Sequence, residues 1–170
     1  AIASALKRYK QAELIRQLAR GLYDYPKIDS RLGILHPSTD DIVKALTGRD
    51  ASRIQPTGAY AANLLSLSNQ VPMKVVYLTD GLSRKVKIGN REITLKRTTP
   101  RNMATAGKTS GLLIQALRHL GKRHVDDPVI TQLNRRLDAN AKVQLMKDIR
   151  YAPAWIADIF RKLAGRKVGA

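Results

Sequence analysis

The chain has 170 residues, 44% of them hydrophobic, enough apolar material for one ordinary domain or two small ones and too much for global disorder. Its 31 lysines and arginines face only 13 acids, and the resulting +18 attracts polyanions and repels other basic proteins. The absence of cysteine excludes disulfides, thiolate catalysis and cysteine metal sites, and fits a reducing cytoplasm. No apolar run approaches the roughly 18 to 20 residues that span a bilayer, and no secretory signal pattern opens the chain. Nucleic acid is the partner class such a charge most often serves; an acidic protein or an anionic membrane surface are the others.

Ala1 to about Gln11 reads as a helix, with Ile2, Leu6 and Tyr9 at helical spacing and Ser4, Lys7, Arg8 and Gln11 on a free basic face. Glu13 to Leu18 and Leu22 to Tyr25 alternate as two strands around a turn at Ala19-Arg20-Gly21. A helix leading into a basic hairpin is the second half of a winged helix-turn-helix, in which the helix enters the DNA major groove and the hairpin touches the flanking backbone. Lys7, Arg8 and Lys10 suit phosphate contact, Ser4 and Gln11 base edges, and Arg16 and Arg20 the wing. The helices that precede a recognition helix are missing, so the natural protein is expected to extend N-terminally by roughly 25 to 45 residues, judged by ordinary domain size.

Beyond Pro26, Gly33 and Pro37 punctuate a loop, and Ser38-Thr-Asp-Asp caps a helix reaching Leu46. Arg53 to Gln55 is a short strand, and Pro56 to Leu65 a small-residue helix. Met73 to Leu78, Arg84 to Ile88 and Arg91 to Thr98, the last two joined at Gly89-Asn90, predict a small antiparallel sheet. From Gly111 the pattern is helical: one helix closed by Gly121, another begun by Asp126-Asp127-Pro128, a break near Asp138 to Asn140, and a last helix opened by Pro153. The basic tail, Arg161 to Ala170, is expected to fray. The fold class is therefore α+β: a partial winged helix over residues 1–28, then an α+β domain over 29–170.

Two further features bear on chemistry. Asn102-Met-Ala-Thr-Ala-Gly-Lys-Thr109 sits where a phosphate-binding P-loop would, but Asn102 replaces the glycine that the tight turn needs. It reads as a loop leading into a capped helix, and a phosphate-transferring enzyme using Gly107-Lys108-Thr109 is the least favoured reading. Arg84, Lys85, Lys87, Arg91, Lys96, Arg97 and Arg101 form a second basic cluster, either a solvated sheet face or a docking surface for a polyanion or acidic partner. His36, His119 and His124 lack metal-ligand spacing; the latter two suit a helix end. No catalytic residue, cofactor or metal site is legible, so the protein is not expected to be an enzyme.

Thr57-Gly-Ala-Tyr-Ala-Ala-Asn-Leu-Leu-Ser-Leu-Ser-Asn-Gln-Val-Pro72 followed by Val76-Tyr-Leu-Thr-Asp-Gly81, with Arg20 to Pro26 upstream and Ala152-Pro-Ala-Trp155 downstream, resembles the AbiEi-like antitoxin family. The resemblance spans nearly the whole chain. It implies a winged-helix transcriptional regulator of a type IV toxin–antitoxin system, a repressor of its own operon. It also implies a C-terminal domain with antitoxin activity opposite a nucleotidyltransferase-like toxin. Expected partners are thus the operator duplex, bound in the cytoplasm by a possible homodimer, and the toxin, with no membrane. The alternative is a protein-interaction module that neutralises the toxin and binds nucleic acid only incidentally.

Overall fold

The computed structural model describes residues 1–48 and 52–166. Helix α1 (Ile2–Gln11) opens the chain, and none of its residues is buried. The apolar stripe read from its spacing is only partly covered: Leu6 is half-buried, whereas Ile2 is 79% exposed and Tyr9 42%. An antiparallel hairpin follows, β1 (Arg16–Ala19) with β2 (Leu22–Asp24). Its turn includes Gly21 at φ +73°, a backbone conformation that costs glycine nothing.

A second hairpin, β3 (Lys27–Asp29) with β4 (Gly33–Leu35), stands where a loop was expected. Strands of three residues are too short to display alternation, and a side chain makes the turn: Asp29 Oδ1 accepts the Arg31 and Leu32 N–H groups at 2.8 and 2.9 Å. The expected domain boundary between 28 and 29 falls inside β3. Helix α2 (Thr39–Thr47) begins at the anticipated cap: Ser38 Oγ accepts from the Asp41 N–H, while its hydroxyl donates to Asp41 Oδ2 at 2.7 Å.

The main sheet comprises β5 (Ile54–Thr57), β6 (Lys74–Thr79), β7 (Arg84–Ile88) and β8 (Arg91–Arg97), in the order β5-β6-β8-β7. It corrects the expectation of an antiparallel sheet: β6 and β8 run parallel, the other pairs antiparallel. The reason lies in the side chains. Ile93 and Leu95 of β8 need burial and line up with Val75 and Tyr77 of β6, so β8 takes the interior place. Strand β7 carries Arg84, Lys85 and Lys87 and suits an edge, where charge also discourages further pairing. Pro56 lacks an N–H and sits in β5, the opposite edge.

Helix α3 (Gly58–Leu64) follows β5, and the short α4 (Pro100–Met103) follows β8. The chain then finishes in helices: α5 (Thr109–Leu120), α6 (Asp127–Arg136), α7 (Ala139–Asp148) and α8 (Ala154–Leu163). Asp126 and Asp138 cap α6 and α7 by accepting the Val129 and Ala141 N–H groups, so Asp138 marks the anticipated break. Helix α5 departs from expectation, because no side chain caps it. The expected frayed tail is helical as far as Leu163, and residues 167–170 lie outside the described residues.

Two apolar clusters result. One gathers α3, α5, α6, α7 and α8 around Leu113, Leu117, Leu133, Leu145, Ile156 and Phe160. The other packs Ile42 and Val43 of α2 and Leu22 of β2 against one sheet face, with Val75, Tyr77, Ile93 and Leu95. Strand β5 and helix α5 join the halves, with the Thr57 hydroxyl donating to Gln115 Oε1 at 2.7 Å. Among the described residues, no helix is long and apolar enough to cross a membrane.

Candidate nucleic-acid interface

Ser4, Lys7, Arg8, Lys10 and Gln11 all lie on α1 and are all exposed. Arg8 and Lys10 occupy the last turn, where the helix dipole favours cations. Lys10 Nζ reaches forward to Gln17 Oε1 at 3.0 Å and so ties α1 to the first strand of the hairpin. Arg8 lies over the Tyr9 ring, 5.5 Å from its centre. Helix and hairpin thus present one contiguous polar and basic margin.

The two hairpin arginines have different surroundings. Arg20 is exposed at the turn beside Gly21. Arg16 is half-buried and engaged: its guanidinium binds Asp24 Oδ2 at 2.7 Å and donates to the Leu35 carbonyl at 2.5 Å. It therefore braces β1 against β2 and β4. The brace brings the second hairpin, with exposed Lys27 and Arg31, alongside the first. The sequence reading missed these two cations because it made their segment a loop.

The seven-residue basic cluster does not form one surface. Strand alternation puts Lys85 and Lys87 on the same face as Glu92, Thr94 and Lys96. Arg84, Arg91 and Arg97 share the opposite face with Ile93 and Leu95, the face that α2 covers. There Arg84 donates to the Leu46 carbonyl at 3.3 Å and Arg91 to Thr39 Oγ1 at 3.0 Å, pinning α2 to the sheet. Arg101 lies outside the sheet and donates to the Arg150 carbonyl at 3.0 Å, bridging to the helical half. On the other face the exposed cations form a lysine grid, with Lys85 3.2 Å from Glu92 Oε2. Lysine is a flexible point charge without arginine's bidentate fork, so the grid can attract a polyanion but has little means of reading one.

The polar groups away from this margin serve the fold. Tyr77, 1% exposed, donates to Asp40 Oδ1 at 2.6 Å; burial and that bond push its phenol pKa far up. Asp80 accepts the Arg53 Nε and backbone N–H, both at 2.8 Å, and the Arg53 guanidinium bond chiefly holds its carboxyl below the ordinary range. The Leu120 carbonyl lies 2.9 Å from His124 Nδ1, in keeping with a helix-end role. Among the described residues, no cluster of His, Cys, Asp and Glu could hold a metal ion.

The fold defines a mixed α+β protein in which a basic helix and paired hairpins precede a sheet and a helical cluster. The chain belongs to DUF6088, a family of unknown function whose model matches residues 1–145. No curated protein and no solved structure matches it.

Proposed function

We propose that this protein is a sequence-specific DNA-binding transcriptional regulator, the autorepressing antitoxin of a type IV toxin–antitoxin operon, acting by binding and not by catalysis. The observation that carries the reading is α1: ten residues with none buried, and Lys7, Arg8, Lys10 and Gln11 in solvent beside a hairpin tipped by Arg20. On this reading α1 enters the major groove, Ser4 and Gln11 read base edges, and Lys7, Arg8, Lys10 and Arg20 neutralise phosphates. Arg16 acts indirectly, by holding the wing in shape. The +18 charge supplies most of the affinity and makes it fall steeply with salt.

The test is binding of the protein to its own upstream duplex and to a scrambled one, at two salt concentrations. A preference that survives high salt supports the reading. Equal, salt-erased binding to both duplexes refutes it. Each phosphate contact removed by Lys7→Ala or Arg8→Ala should lower the salt slope by about 1.

The exposed lysine grid on the sheet favours a second reading, an interaction module whose partner is the toxin. Co-expression with the neighbouring gene product separates the two. If a variant carrying both Lys7→Ala and Arg8→Ala loses operator binding yet still rescues growth, neutralisation is independent of the DNA-binding helix.

A further inference from the structure

Hairpin β3–β4 has little packing to support it. None of its residues is buried, and Ile28, Leu32 and Ile34 are 79%, 78% and 57% exposed. Ile28 and Ile34 stand directly opposite each other across the ladder, so they share one face. Two strands alone are marginal in water; a sheet with an apolar face becomes stable at three or more. The Arg16 brace meets the ribbon at Leu35 of β4, which leaves β3 as the outer edge. No backbone N–H or C=O of Lys27, Ile28 or Asp29 is bonded outside the ladder with β4.

That edge is complementary to a second copy of itself. Antiparallel pairing about a two-fold axis at Ile28 sets Ile28 opposite its own counterpart, and Lys27 of each copy opposite Asp29 of the other. Asp29 takes both turn N–H groups on Oδ1, and those bonds hold its carboxyl below the ordinary range, so it meets the lysine ionised. Opposite charges on directly facing residues stabilise such a pair, and like charges destabilise it. Strand β7 fails the same comparison: an axis at Val86 would set Lys85 against Lys87, with no acid in the strand to answer them. In a chain of +18, the Lys-Ile-Asp edge of β3 is electrically balanced.

We propose that β3 is a self-association strand: two copies pair antiparallel through it and form a four-stranded ribbon, β4-β3-β3-β4. Ile34 and Ile28 of both copies then make one apolar row across a face of that ribbon. Three paired residues from each copy bury far less than a standard interface of roughly 1,600 Å², so the dimer is weak. The +18 of each copy opposes association; salt screens that repulsion while the backbone bonds and apolar contacts persist. The dimer does not rest on the operator reading. Where that reading holds, the same axis relates two α1 helices, as inverted half-sites require.

The test is sedimentation velocity on the full chain without DNA, from about 10 to 500 μM at about 0.5 M salt. The native chain is expected to pass from monomer to dimer across that range. Ile28→Lys and Ile28→Glu change an exposed side chain, and circular dichroism checks that both variants fold. Each alone should weaken the dimer at least tenfold, because the axis sets like charges face to face. An equimolar mixture of the two should restore it, since lysine then faces glutamate. A native chain that stays monomeric overturns the proposal and leaves the ribbon to a partner of other chemistry. A dimer that persists in both variants, or a mixture no better than either variant alone, overturns it equally. Operator binding is measured separately, so failure of one reading is distinguishable from failure of the other.

Discussion

Truncating Asp148 probes how the helical half is held. Asp148 is 4% exposed at the end of α7, and it accepts from the Ser110 hydroxyl at 2.6 Å, from Gln144 Nε2 at 2.7 Å and from Lys108 Nζ at 3.2 Å. Burial pushes its carboxyl pKa up, but the bonds from Ser110, Gln144 and Lys108 outweigh it and hold the carboxyl below its ordinary 3.8. Asp148→Ala strands the fully buried Ser110 hydroxyl and removes the charge that Lys108 faces. A buried hydrogen bond to a charged group is worth about 1.5–3 kcal/mol. The half-exposed Lys108 adds well under 1 kcal/mol, roughly as a screened pair does. The expected loss is about 3 kcal/mol, a large share of a typical folding free energy. Asp148→Asn keeps the shape and an acceptor for Ser110, and should lose roughly half as much.

Urea unfolding followed by Trp155, the sole tryptophan, which packs against the helical core, reads this directly. The Ala variant should have a lower midpoint at unchanged slope. The advantage of the native chain over the Asn variant should be fully present above about pH 4–5 and fade as pH falls through the depressed folded-state pKa. An Ala variant within about 0.5 kcal/mol of the native chain, the range of an ordinary surface change, would refute the reasoning.

Three further outcomes follow from the geometry. Gly111→Ala would bring a Cβ to 2.2 Å from the Thr105 carbonyl oxygen, so α5 must shift; a loss of about 1–3 kcal/mol is expected in the same urea assay, the usual range for overpacking. Arg16→Ala should loosen the two hairpins by about 1–2 kcal/mol, as for a part-buried charged bond, with faster amide exchange at Leu35 and Asp24 as the readout. Tyr77→Phe removes the bond to Asp40 while keeping the ring packing, and should cost about 1 kcal/mol in thermal unfolding.

Local patterns were legible wherever one short-range cause dominates. Ser38, Asp126 and Asp138 mark helix starts because a cap bonds its own next turn. Gly89-Asn90 marks the β7–β8 hairpin because a tight turn restricts which residues it accepts. The opening basic helix was equally plain, since its charges need no partner to be seen.

What the sequence alone could not reach was every feature made by residues distant along the chain. Whether β8 lies beside β6, and in which direction, depends on how Ile93 and Leu95 meet Val75 and Tyr77. The basic cluster looked like one surface because charge is counted along the chain; the strand's alternation sends Arg84 and Arg91 to brace α2. Arg16 looked like a free wing cation until folding brought the Leu35 carbonyl, nineteen residues away, to its guanidinium. Capping, turn chemistry and periodicity act over a few residues, so composition and spacing determine them. Pairing, burial and the commitment of a charge arise from long-range contacts, and only the tertiary structure decides those.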